Sequence, residues 1–147
     1  MKTRTIAYWA TTGFLAFNLL SGAVAELAQR SDNAEGMLQL GYPLYFMLII
    51  GVWKILGTIA ILVPRFPRLK EWAYAGIFFN MTGAAVSHAV VGDASWHVIY
   101  TGFLAALAVA SWALRPQSRS VGVPFPANSL ARPGQNYDAR LEGRPVS

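Results

Sequence analysis

Hydrophobic positions in this chain gather into four long runs, residues 5–25, 43–64, 71–91 and 94–114, each interrupted by few polar side chains and bounded by charged or turn-forming ones. Each run holds roughly 20 residues, which at about 1.5 Å of helical rise per residue matches a bilayer hydrocarbon core of about 30 Å. A backbone in lipid must satisfy its own N–H and C=O groups, and none of the runs shows the in–out alternation of a barrel strand, so helices are the expected form. The pattern predicts an all-α polytopic membrane protein, an antiparallel bundle of four transmembrane helices within residues 1–116.

The connections are read from their turn residues. Asp32-Asn33-Ala34-Glu35 has the spacing of a capping box, with Asp in place of Ser or Thr, and Met37, Leu38 and Leu40 follow before Gly41 and Pro43 stop the segment. A short amphipathic helix on the outer surface is expected there. Pro64-Arg65-Phe66-Pro67-Arg68 reads as a rigid basic turn. Gly92-Asp93 is so short a link that the third and fourth runs must be neighbours. Beyond Pro116 the chain turns to Pro, Ser, Gly and Arg without hydrophobic periodicity, so residues 117–147 are expected to form a disordered cytoplasmic tail.

Charge adds orientation. The chain of 147 residues is 54% hydrophobic and carries a formal net charge of +5. Lys2 and Arg4, then Arg65, Arg68 and Lys70, then Arg115 and Arg119 all fall on one side if every run spans, whereas the other side has Arg30 against Glu26, Asp32, Glu35 and Asp93. By the positive-inside rule both termini are expected in the cytoplasm, and the excess positive charge reads as topology, with no nucleic-acid partner implied. Tyr8, Trp9, Trp72, Tyr74 and Trp112 near one boundary, and Tyr42, Tyr45, Trp96 and Tyr100 near the other, make two aromatic belts. Ala23-Val24-Ala25 before Glu26 also offers a signal-peptide cleavage site, but the apolar run before it exceeds the usual 7 to 15 residues or so of a signal core and carries Tyr8, Trp9 and Asn18. The uncleaved four-helix reading is therefore preferred.

Chemistry is restricted first by what is missing. With no cysteine in the sequence, disulfides, thiol redox relays, cysteine nucleophiles and iron–sulfur ligation by the chain's own thiolates are excluded. No nucleotide motif and no catalytic motif is present, and no independent catalytic activity is expected. The polar residues inside the runs are then the candidates for function. Counted from the cytoplasmic boundary at about 1.5 Å per residue, Lys54 lies roughly 16 Å deep, Asn80 roughly 14 Å and Asn18 roughly 21 Å. A charge there is costly, and the lysine stem is too short to snorkel to either interface, so its ammonium is expected to face the bundle interior. Gly51, Lys54 and Thr58 share one helical face; Gly76, Asn80, Gly83, Ala84 and Ser87 share another; and Asn18, Ser21 and Ala25 a third. Small residues on these faces are expected to let helices approach closely. Glu26 and Asp93 are placed too far out, and Glu71 too far in, to reach Lys54, which leaves an uncharged amine, a polar clasp with the two asparagines, or an anionic or quinone ligand. His88, about 27 Å from the inner boundary, falls close in depth to Glu26 and Asp93, and His97 could join them. The four form no recognised metal-ligand spacing, so no metal is assigned. Lys54, Asn18, Asn80, Ser87 and His88 are the candidate ligand-binding residues.

Four blocks in a fixed order carry a resemblance: Leu40-Gly41-Tyr42-Pro43-Leu44-Tyr45-Phe46; Gly51-Val52-Trp53-Lys54-Ile55-Leu56-Gly57; Pro64 through Gly76 with Glu71-Trp72; and Thr82-Gly83-Ala84-Ala85 through Ser87-His88 to Gly92-Asp93. Over residues 6–116 the chain resembles the DoxX-like family of small bacterial membrane proteins. That resemblance implies a four-helix fold in the bacterial inner membrane and no established catalytic residues. DoxX itself is a subunit associated with a terminal quinol oxidase and with thiosulfate-to-quinone electron transfer. One departure stands out: Ser21-Gly22-Ala23-Val24-Ala25-Glu26 occurs where many DoxX relatives have a basic residue soon after Ser-Gly, so any function depending on that group is in doubt. The absence of cysteines and of any clear cofactor motif favours an accessory or structural subunit of a membrane redox or respiratory assembly. A quinone-binding oxidoreductase subunit, with quinone as the possible cofactor, and a carrier or binding module for a small lipophilic or anionic compound are the alternatives. The partners expected are the lipid bilayer, other membrane proteins or further copies of the chain.

Overall fold

Runs of this length and apolarity close their backbone hydrogen bonds as helices. The computed structural model describes residues 2–121, and the described residues form five α-helices and no strand: α1 Lys2–Leu27, α2 Ser31–Gln39, α3 Tyr45–Leu62, α4 Pro67–Val91 and α5 Ser95–Leu114, followed by a 3-10 turn at Gln117–Arg119. α1, α3 and α5 are each long and apolar enough to cross a membrane. α4 is the exception to the expected four: it has 25 residues, but Asn80, Ser87 and His88 dilute its apolar character. It nevertheless packs lengthwise between α3 and α5, and α1 closes the ring against both α3 and α5.

Neighbouring long helices run antiparallel. Thr12 and Asn18 of α1 bond Ser111 and Tyr100 of α5, and Glu71 and Tyr74 of α4 bond Trp112 and Ser111 of α5. The core lies between all four, with Leu15 and Leu19, Ile61, Tyr74, Ile77 and Met81, and Leu104, Ala105 and Ala108 in one cluster. Much of the outward surface is large and apolar, including Phe17, Trp53, Trp72 and Phe79, as expected where lipid replaces water around a bundle.

The two ends differ. At one end Lys70, fully buried, donates to the Ala60, Ile61 and Val63 carbonyls and so satisfies the last turn of α3, whose C=O groups have no partner within the helix. Arg119 reaches the Ile61 and Leu62 carbonyls at 3.3 and 3.2 Å and stacks on Trp9, while Arg4 donates to Ala113 O. The first five residues of the expected tail, 117–121, are therefore at least partly docked on the bundle, and residues 122–147 lie outside the described residues. At the other end Gly92, at φ +72°, stops α4 in the left-handed conformation that glycine adopts most readily. The helix expected between the first two runs is present as α2, but the capping box is not: α2 begins at Ser31 and Arg30 is its N-cap, without a side-chain cap bond. Asp32 instead sits in the first turn, where its charge complements the helix dipole.

Helix approach is closest at Gly51. A Cβ there would lie 2.9 Å from Leu27 Cγ and 3.3 Å from the Ala23 carbonyl oxygen, so the end of α1 packs directly on the α3 backbone. Gly76 and Gly83 do not serve this purpose, since a Cβ on either would meet nothing from another element.

Candidate functional site

Placing Leu27 against Gly51 sets the register that decides the site. α1 ends level with Gly51, six residues into α3 from its start at Tyr45, or roughly 9 Å at about 1.5 Å per residue. Glu26 is thereby carried down to Lys54, and the two form an ion pair whose side chains are 13% and 14% exposed. The expectation that no carboxylate reaches Lys54 is overturned. It assumed that all helices start and stop at common levels, whereas α1 stops short and the loop and α2 fill the space beyond it.

Around this pair the helices leave a cavity of about 670 Å³. It brings together all five residues singled out from the sequence, Lys54, Asn18, Asn80, Ser87 and His88, with Glu26, Tyr42 and Tyr100 in the same lining. α2 and its flank cover one end through Asn33, Met37 and Leu40. Gly83 and Ala84, whose small side chains were expected to hold helices together, line the space instead.

Most polar groups in the lining already have partners. Asn18 donates to Phe14 O at 2.8 Å and accepts from the Tyr100 hydroxyl, so it does not clasp Lys54. Ser87 bonds the Tyr42 hydroxyl at 2.9 Å and donates to Gly83 O. Glu26 Oε2 is buried with no hydrogen-bond partner among the described residues, and the half-buried Asn33 and Asn80 amides make no side-chain hydrogen bond to any described residue. A buried polar atom is normally satisfied, so Glu26 Oε2 marks where a ligand's donor is accommodated at least cost, and Asn80 offers an uncommitted donor and acceptor in the same lining.

A second cavity of about 450 Å³ lies against the first and shares Leu19, Phe46, Ile50, Lys54 and Asn80 with it. Its remaining walls are apolar: Trp53, Leu56, Leu69, Trp72 and Ile77 among them. Lys54 and Asn80 therefore stand at the junction of a polar chamber and an apolar one.

His88 is also part of a rim cluster. The Gly92 turn brings the last turn of α4 and the first turn of α5 together, so that His88 Nδ1 and His97 Nδ1 lie 2.7 and 2.8 Å from the same oxygen, Asp93 Oδ2. The rings stack with centroids 4.9 Å apart. Asp93 Oδ1 accepts the Ala94 N–H at 2.6 Å. That backbone bond first, and the His88 bond next, hold the Asp93 carboxyl below its usual range. Glu26, grouped with these residues by depth, belongs to Lys54 instead.

The model of the DoxX-like family matches residues 10–111, about two thirds of the chain and every residue of the cavity. The chain belongs to the DoxX-like family. With its apolar helices, this makes it a membrane protein. No curated protein and no solved structure matches it. Sequence reasoning about this DoxX-like chain missed Glu26, Tyr42 and Tyr100 as members of the site. Tyr42 and Tyr100 carry the belt signal of interfacial aromatics, which concealed that their hydroxyls turn inward. Glu26 lies one residue beyond the apolar run, which placed it too far out to reach Lys54.

Proposed function

We propose that this DoxX-like protein is a multi-pass inner-membrane subunit with four spanning helices and cytoplasmic termini, which holds a small lipophilic molecule of the quinone class for a redox partner. The orientation follows from the basic residues Lys2, Arg4, Arg65, Arg68, Lys70, Arg115 and Arg119, which belong to helix ends that the antiparallel packing gathers on one side. The fourth span rests on the place of α4 in the ring, since its polar residues face a cavity and not lipid.

The observation that carries the ligand class is the junction of the two cavities at Lys54 and Asn80. A ring with oxygen substituents suits the polar chamber, and an apolar tail suits the groove beside Trp53 and Trp72. The donor set fits both redox forms: the Lys54 ammonium and the Asn80 amide donate to carbonyl oxygens, and Glu26 Oε2 and the Asn80 oxygen accept from hydroxyls. A bound quinone supplies two-electron, two-proton chemistry. The residues of this chain bind and orient it and exclude water; with no cysteine in the sequence, the electrons are left to a partner protein. The cavity volume lies within the range of about 300 to 1,000 Å³ common to small-molecule sites.

The test is equilibrium binding of a short-tailed quinone and its quinol to the protein in lipid nanodiscs. Saturable binding is expected, weakened roughly tenfold by Asn80→Leu, the equivalent of about 1.4 kcal/mol. No saturable binding, or equal displacement by any phospholipid, contradicts the quinone reading.

A further inference from the structure

The rim cluster of His88, Asp93 and His97 is not used by the proposed quinone site, although His88 borders the same cavity. Each residue offers one ligand atom, and the three atoms lie within 4.8 Å of one another. We propose that these three side chains bind a divalent transition-metal ion of the zinc or cobalt type.

Three features point to a metal instead of a simple hydrogen-bonded cluster. First, both imidazoles present the same nitrogen, Nδ1, to one carboxylate oxygen. One carboxylate oxygen needs no second imidazole to be satisfied, whereas an ion held by two His and one Asp needs this convergence. Second, the geometry is close to what an ion requires. With ligand bonds of about 2.0 to 2.2 Å, ligand atoms around zinc stand roughly 3 to 4 Å apart, so an ion in place of the intervening protons opens the 2.7 and 2.8 Å contacts slightly and draws three atoms already within 4.8 Å of one another to that spacing. Third, the cluster is held in place. The left-handed Gly92 fixes the turn, Ala94 N–H pins Asp93 Oδ1, and Asp93 makes no ion pair with Lys or Arg among the described residues, so its charge is free to offset that of the ion. His97 is half exposed, which leaves an open side for entry and for water as the remaining ligand. The mixed nitrogen and oxygen set favours zinc, cobalt or nickel over magnesium or calcium, which prefer oxygen alone.

The experiment is titration of untagged full-length protein in nanodiscs with Zn²⁺ by calorimetry, with Co²⁺ as a spectroscopic substitute. One Zn²⁺ per chain is expected, with His97→Ala and His88→Ala each weakening binding roughly tenfold or more. Co²⁺ is expected to give visible ligand-field bands that His97→Ala abolishes. Zn²⁺ is also expected to raise the melting temperature of the wild type and not that of His97→Ala. His97 is exposed enough that its removal leaves the metal-free protein folded, which the metal-free melting temperature checks. Zn²⁺ binding that is absent from the wild type, or unchanged in the His88→Ala/His97→Ala double variant, overturns the proposal. Because the titration reads metal binding at the rim cluster and not quinone binding, failure of the quinone reading leaves its outcome unchanged.

Discussion

Lys54 and Glu26 set the energetics of the site between them. A charge taken into a low-dielectric interior is tolerated when its partner comes with it, and removing one member leaves the other buried without compensation, at a cost of about 3 to 5 kcal/mol. Lys54→Met is therefore expected to lower the unfolding temperature in detergent sharply, and Lys54→Met/Glu26→Gln to recover most of the loss. If the double variant is no more stable than the single one, the pair is not the source of the effect. The lysine itself was legible in the sequence, because an isolated charge in an apolar run has no other explanation. Its partner was not. Helix periodicity specifies which residues share a face, but the relative level of two helices depends on where backbones fit together. The fit of Leu27 against the bare backbone of Gly51 becomes visible only when both helices are placed.

Helices rise or fall here by how their ends are finished. Four apolar runs announce four long helices from sequence alone, and the observed bounds differ from the expected ones by at most four residues at any end. The finishing contacts were not announced. Lys70 reads as one more cytoplasmic positive charge, yet it is fully buried and serves the final carbonyls of α3. A carbonyl deprived of its donor in a buried setting costs about 1 to 3 kcal/mol. Lys70→Met is accordingly expected to destabilise the protein by that order and to speed amide exchange in the last turn of α3, while leaving exchange near Gly51 unchanged. Unaltered exchange in that last turn counts against the capping role. The missing capping box on α2 has a related origin: Asp32 and Glu35 have the spacing for a reciprocal cap, but the helix starts at Ser31 and leaves both inside it.

The described residues form a ring of four antiparallel long helices with most of their basic residues at one end and the polar cavity displaced toward the other. The absence of cysteine from the sequence makes the arrangement testable by single cysteines in an otherwise intact chain. In intact cells a membrane-impermeant thiol reagent is expected to label Gln39→Cys and to leave Arg68→Cys unlabelled until the membrane is opened. The reverse pattern inverts the topology, and labelling of both in intact cells removes α3, the helix between them, as a span. The central claim concerns what the ring encloses, and it is tested most directly by native mass spectrometry of the protein extracted from its own membrane. The wild type is expected to retain a mass increment whose fragments are those of a quinone or quinol, and the Lys54→Met/Glu26→Gln double variant, folded by its melting temperature, to lose it. A wild type without such an increment, or a double variant that keeps it, contradicts the assignment of the cavity as a quinone site.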